Sequence, residues 1–252
     1  MAERPQPTTV DPLDAHIVRS PARPARLLVL VHGYGEPVED LTDRLELIDP
    51  EGRHLVVAPR APFEHKGQAI WHRALSAGEV AGHQFLASLA AIDDLLGRLE
   101  TDHGLPASEA VVGGFSQGGG LGIALLLAAD VAHRPAAAFG ICSFAPHIAG
   151  FRVDRSAAAG RPAFLASAHQ DRFAPIESSR ASAAALVGAG LELTYAETPG
   201  AHVVTDEAAG LAGAWLASLD GAPPPDRGAA LLADAAADPD GLRTAELWEL
   251  VS

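Results

Sequence analysis

A single cysteine, Cys142, occurs in 252 residues. That excludes an intramolecular disulfide and any cysteine cluster able to hold a metal. With Ile141 and Phe144 close by in the chain, Cys142 reads as a reduced, packed thiol. Lysine is equally scarce, Lys66 being the only one, and 18 lysines plus arginines against 32 acidic residues leave a formal net charge of −14. Such a surface repels phosphate backbones and gains nothing from an anionic bilayer, so nucleic acid is not an expected partner. No apolar run is long enough to span a bilayer, and the opening MAERPQPTTVDP lacks the basic start and apolar stretch of a signal peptide. The expectation is a cytoplasmic chain without integral membrane association. Internal repeats and the H-E-x-x-H spacing are missing too, so the 11 histidines are assigned no metal and no cofactor is implied.

What is present is apolar: 48% hydrophobic residues in a chain of this length can bury a sizeable core. The composition divides the chain into a proline-containing lead-in with a possible edge strand at 1–25, one domain at 26–220, and a Pro/Ala-rich tail at 221–252. Leu27 to Val31 is apolar on both faces, which predicts a buried parallel strand. Similar runs start at His54, Ala110, Pro135, Pro162 and Leu191. Between them helices are predicted over 39–48, 79–103, 175–187 and 203–219, while 59–78 reads as an irregular loop beside a pocket. Alternating strand and helix argue for an α/β fold, a mostly parallel sheet with helices on both faces and no large lid domain. The tail is expected either as a short amphipathic helix, docked on the domain or on a partner, or as an extension without fixed order.

The pattern with most chemistry in it is Gly114-Phe115-Ser116-Gln117-Gly118, a G-x-S-x-G with an apolar strand before it and an apolar helix after it. In that context the serine sits on a sharp strand-to-helix turn, and the glycines stand where a Cβ would strike neighbouring backbone. A serine hydroxyl is a weak nucleophile at neutral pH and needs a base, whose other ring nitrogen a carboxylate holds. The order Ser, acid, His selects residues after Ser116 at strand ends. His202, after Pro199-Gly200-Ala201 and before the last helix, is the candidate base, with His133, His147 and His169 less suitably placed. Asp171 is the candidate acid, since Asp154 precedes its strand and Asp206 falls inside a helix; a helix-capping role for Asp171 stays open. Backbone amides of Gln117 and Tyr34 are the candidate oxyanion donors, with Gly33 able to lend another and His32 bracing the loop.

HGYGEPVEDL, APRAPF with Trp71 shortly after it, GFSQGG, the aspartate of HQDRFAP and the histidine of PGAHVV together resemble the α/β-hydrolase family of carboxylesterases, phospholipases and acyl-protein thioesterases. The resemblance runs from about Leu27 to Leu219 and implies hydrolysis of acyl esters or thioesters of small to medium acyl groups, on a small-molecule substrate. Gly33, Trp71 and Phe144 are the pocket residues it suggests. His72-Arg73, where members often carry an aromatic and an acidic residue, and Glu36, where aspartate or a small residue is frequent, depart from the pattern and leave substrate identity open. A hydrolase-like binding protein without turnover, or an acyltransferase or peptidase on the same fold, are the alternatives.

Overall fold

A computed structural model describes residues 10–76, 79–225 and 249–251. The strands are β1 (Ala15–Arg19), β2 (Leu27–Val31), β3 (Leu55–Pro59), β4 (Phe63–His65), β5 (Gln68–Ile70), β6 (Ala74–Ser76), β7 (Glu79–Val80), β8 (Val111–Phe115), β9 (Ala137–Ile141), β10 (Arg152–Asp154), β11 (Pro162–Ala168), β12 (Glu192–Thr198) and β13 (Glu249–Val251). The helices are α1 (Glu39–Thr42), α2 (Leu45–Ile48), α3 (Gly82–His103), α4 (Gln117–Leu127), α5 (Arg155–Ala158), α6 (Ile176–Gly188) and α7 (Asp206–Ser218).

The main sheet has seven strands in the order β1-β3-β2-β8-β9-β11-β12, parallel except for β1, which runs antiparallel along the edge of β3. Every residue of β2, β3, β8 and β9 is buried, as the continuous apolar runs require of strands covered on both faces. Alternation then sorts the side chains: Leu27, Val29 and Val31 face α3, α4 and α6 in one core, while Leu28 and Leu30 face α1, α2 and α7 in the other. All of α4 is buried, which explains why its sequence is apolar all round and lacks a polar face.

The local differences from the sequence reading have physical causes. The helix predicted over 39–48 is two short helices, because the chain turns at Asp43-Arg44 to press α2 onto α7, where a Cβ on Gly213 would stand 2.0 Å from the Leu47 carbonyl oxygen. The loop predicted over 59–78 contains a hairpin, β4 with β5, turned at Lys66 and Gly67 with φ +53° and +77°. A second small pair, β6 with β7, takes up Glu79 and Val80, so α3 starts at Gly82. The tail between 226 and 248 lies outside the described residues, and with it the helix considered there; β13 pairs in parallel with β10. No helix among the described residues is long and apolar enough to cross a membrane.

Candidate active site

β8 delivers Ser116 at the carboxyl edge of the sheet, and α4 begins at the next residue. Ser116 has φ +51° and ψ −116°, a conformation that costs a non-glycine residue on the order of 1–3 kcal/mol. The surrounding bonds impose it: the Ser116 amide donates to the Ile141 carbonyl at 2.9 Å, and the Ser143 hydroxyl donates to the Ser116 carbonyl at 2.8 Å. A Cβ on Gly118 would lie 2.1 Å from the Val31 carbonyl oxygen. Backbone cannot yield as a flexible side chain does, so the turn needs glycine there.

His202, in the loop between β12 and α7, reaches the serine: its Nε2 is 2.9 Å from Ser116 Oγ and its Nδ1 is 2.7 Å from Asp171 Oδ2. A carboxylate only accepts, so Nδ1 carries the proton and Nε2 is left to accept from the hydroxyl. Asp171 follows β11, and its side chain has no exposed surface. Its Oδ1 accepts from the amides of Phe173 and Ala174, each at 2.8 Å, which fixes the carboxylate and frees Oδ2 for the imidazole. The rings of Phe115 and Phe173 stand 4.8 and 5.1 Å from that imidazole. The other candidates are engaged elsewhere: Asp154 caps α5 through the Ala157 amide, Asp206 pairs with Arg44, His133 faces Asp93, and His169 faces Glu197. His147 is exposed.

The loop after β2 is tied to the serine turn by a network that links residues far apart in the chain. His32 Nδ1 donates to the Gly33 carbonyl at 2.7 Å, and its Nε2 accepts from the Ala61 amide at 3.1 Å. Both contacts are met only by the neutral ring, and burial lowers its pKa. Trp71 Nε1 donates to the His32 carbonyl at 2.9 Å, while its amide donates to Gln117 Oε1 at 3.2 Å. Gln117 Nε2 in turn donates to the His72 carbonyl at 2.8 Å. The side chain of Gln117 therefore locks the first residue of α4 to residues 71–72. Trp71 is 0% exposed and lies behind the loop as a brace, not on an open pocket surface. The Tyr34 hydroxyl bonds His65 of β4, leaving its backbone to the loop. Gly33 packs beside Phe115 and Glu36, and Phe144 lies against Gly120 in the first turn of α4.

The arrangement of serine, imidazole and carboxylate at the ends of parallel strands has a counterpart in sequence. A model of the phospholipase/carboxylesterase family matches residues 13–208, well over half of the chain. The chain belongs to that family. As a phospholipase/carboxylesterase-family α/β-hydrolase it shares its fold with solved structures of low identity. A carboxylesterase of Bacillus cereus superimposes with a TM-score of 0.70 at 19% identity, covering 82% of this chain and 93% of that one. A carboxylesterase of Mesorhizobium loti gives 0.61 at 22%, covering 76% and 88%. SOBER1 of Arabidopsis thaliana gives 0.63 at 18%, covering 77% and 99%. No curated protein matches the sequence.

Three titratable groups around the serine of this family member depart from their ordinary behaviour. His72 is 2% exposed, and burial brings its pKa down to about 4. Its Nδ1 lies 3.3 Å from Gln117 Nε2, a donor, so Nδ1 accepts; its Nε2 has no hydrogen-bond partner among the described residues. Glu36 is raised to about 7 by burial first and by Asp40 second. Cys142, with φ +48° at the end of β9, is pushed up to about 12, by burial first and then by the Asp171 charge. The donor atoms of Cys142, Asp171 and His202 lie within 4.8 Å of one another, the only three-member grouping among the described residues with spacing for a metal ion. Asp171 and His202 already direct theirs to each other, and the thiol is protonated. Sequence reasoning missed Cys142 and Phe173 as neighbours of the site, whereas His72 stood out there as a departure from the family pattern; for Phe173 the signal was its place two residues after Asp171.

Proposed function

We propose that the protein is a serine hydrolase that cleaves carboxylic esters or thioesters of small to medium acyl groups through an acyl-enzyme, with residues 26–220 as its hydrolase domain. The observation that carries this reading is the unbroken chain of hydrogen bonds from Ser116 Oγ through His202 to Asp171, at 2.9 and 2.7 Å. As Ser116 Oγ attacks the carbonyl carbon, His202 Nε2 takes its proton, and Asp171 stabilises the imidazolium across Nδ1. The carbonyl oxygen becomes an oxyanion received by the backbone amides of Gln117 and Tyr34, assisted by the positive end of α4. His202 then returns the proton to the departing alcohol or thiol. Water, deprotonated by the same imidazole, attacks the acyl-enzyme and releases the acid. The strained backbone at Ser116 holds the hydroxyl in register with Nε2, so little reorganisation precedes attack.

Purified protein should hydrolyse short-chain p-nitrophenyl esters and be labelled by a fluorophosphonate. Ser116→Ala should remove both, with a loss in kcat of about a millionfold, as in other serine triads. Wild-type protein that neither turns over nor labels would instead be a hydrolase-like binding protein, and the reading would fall.

A further inference from the structure

Phe173 is 84% exposed, the most open large apolar side chain among the described residues. It is nonetheless held in place. Its amide donates to Asp171 Oδ1 at 2.8 Å, and its ring lies 5.1 Å from the His202 imidazole, inclined by 55°. The other ring against that imidazole, Phe115, is 2% exposed, so one contact belongs to the core and the other to solvent. Val203, the residue after His202, is 53% exposed. A phenyl ring left in water forgoes the free energy of its burial, which a molecule seated at His202 would recover.

What that molecule presents follows from the proton transfers of the proposed acyl-transfer reaction, on which this step rests. His202 hands its proton to the departing oxygen or sulfur, so the leaving group lies against the imidazole. The carbonyl oxygen is turned instead toward the amides of Gln117 and Tyr34. A side chain lying against His202 at its solvent side therefore meets the alcohol or thiol portion of the substrate and not its acyl chain. We infer that Phe173, extended by Val203, forms a leaving-group subsite for apolar alcohols and thiols, above all flat arylmethyl ones. Nothing charged is offered to the leaving group by these two side chains, which favours a neutral one.

The test holds the acyl group constant and varies the leaving group: methyl, butyl, benzyl and naphthylmethyl acetates, with wild type and Phe173→Ala. Intrinsic reactivity of each ester cancels in the ratio of kcat/KM between the two proteins. The ratio should be about 10 for naphthylmethyl acetate, the factor for uncovering on the order of 55 Å² of apolar surface. It should fall below about 2 for methyl acetate, which is too small to cover the ring. Deacylation of the acetyl-enzyme, where the leaving group has already gone, should be unchanged, and Phe173→Trp should preserve the preference. The ratio of wild type to Val203→Ser should likewise exceed 1 for naphthylmethyl acetate, by less than for Phe173→Ala, and stay near 1 for methyl acetate. An equal loss on all four esters would show that Phe173 only positions His202 and would overturn the subsite while leaving the hydrolase reading intact. Slower deacylation would do the same. Absence of turnover and of fluorophosphonate labelling in wild type would overturn both.

Discussion

His72 and Glu36 make opposite demands on pH, and their variants should separate two slopes that cancel in the parent protein. Unfolded His72 takes up a proton near the ordinary histidine value of 6.5, whereas the folded group resists protonation until about pH 4. Its contribution to stability is complete above 6.5 and is lost as pH falls toward 4. The difference is worth up to about 3 kcal/mol, at about 1.4 kcal/mol per pH unit. Glu36 runs the other way: its pKa rises from 4.5 unfolded to about 7 folded, so its contribution is complete below 4.5 and is lost as pH rises toward 7. Between pH 5 and 6.5 the two oppose each other. Urea unfolding at these two values should find a small change in the parent. In Glu36→Gln only the His72 slope remains, and stability should fall by about 2 kcal/mol on going from pH 6.5 to 5. In His72→Phe stability should rise on the same acidification, by less, since Glu36 is only half-buried. Differences between each variant and the parent remove the contributions of all other groups. If both variants keep the parent's pH dependence, the burial argument for these two side chains is wrong. The same titration reaches the candidate site, because a protonated His72 cannot accept from Gln117 Nε2.

Asp171→Asn should lower kcat by about 10⁴ by disturbing the His202 tautomer, measured on p-nitrophenyl acetate, with slower fluorophosphonate labelling in parallel. Gln117→Ala leaves the Trp71 amide and the His72 carbonyl without the side-chain partner each has now; thermal melting should register a loss of about 2–4 kcal/mol although the Gln117 backbone amide is retained. Gly113→Ala would place a Cβ 1.9 Å from the Phe139 ring. It should cost about 3 kcal/mol or more, Phe139→Leu should restore part of that in the double variant, and strict additivity in urea unfolding would contradict the packing argument.

The parallel strands were legible because β2, β3, β8 and β9 are buried on both faces, a condition only continuous apolar sequence meets. The small pairs β4–β5 and β6–β7 were not, since three-residue strands carry no periodicity to read, and their polar residues look like loop. Of the residues that the required chain order singled out, His202 lies within hydrogen-bonding reach of both Ser116 and Asp171. Order along the chain constrains that grouping because each stands at a strand end on one sheet edge. The bracing network was illegible for the opposite reason: Trp71 and Gln117 are 46 residues apart, and the Gln117 side chain meets a backbone amide and a backbone carbonyl at 71–72, groups that leave no trace in residue type. Exposure of Phe173 also escapes the sequence, since a phenylalanine beside Ala174-Pro175 reads as core.

The contact between Gly213 and the Leu47 carbonyl has a consequence beyond packing. Helix α7 starts four residues after His202, and α1 starts three residues after Glu36, at the end of the loop that carries Tyr34. Arg44, between α1 and α2, pairs with Asp206 at the start of α7. The loop that carries His202 and the loop that carries Tyr34 are thus gauged against each other by a route through the outer layer of the fold, independent of the sheet. A substitution that wedges α2 from α7 should shift His202 against the Tyr34 loop without touching either, and under the proposed mechanism it should slow turnover in a protein whose core is intact.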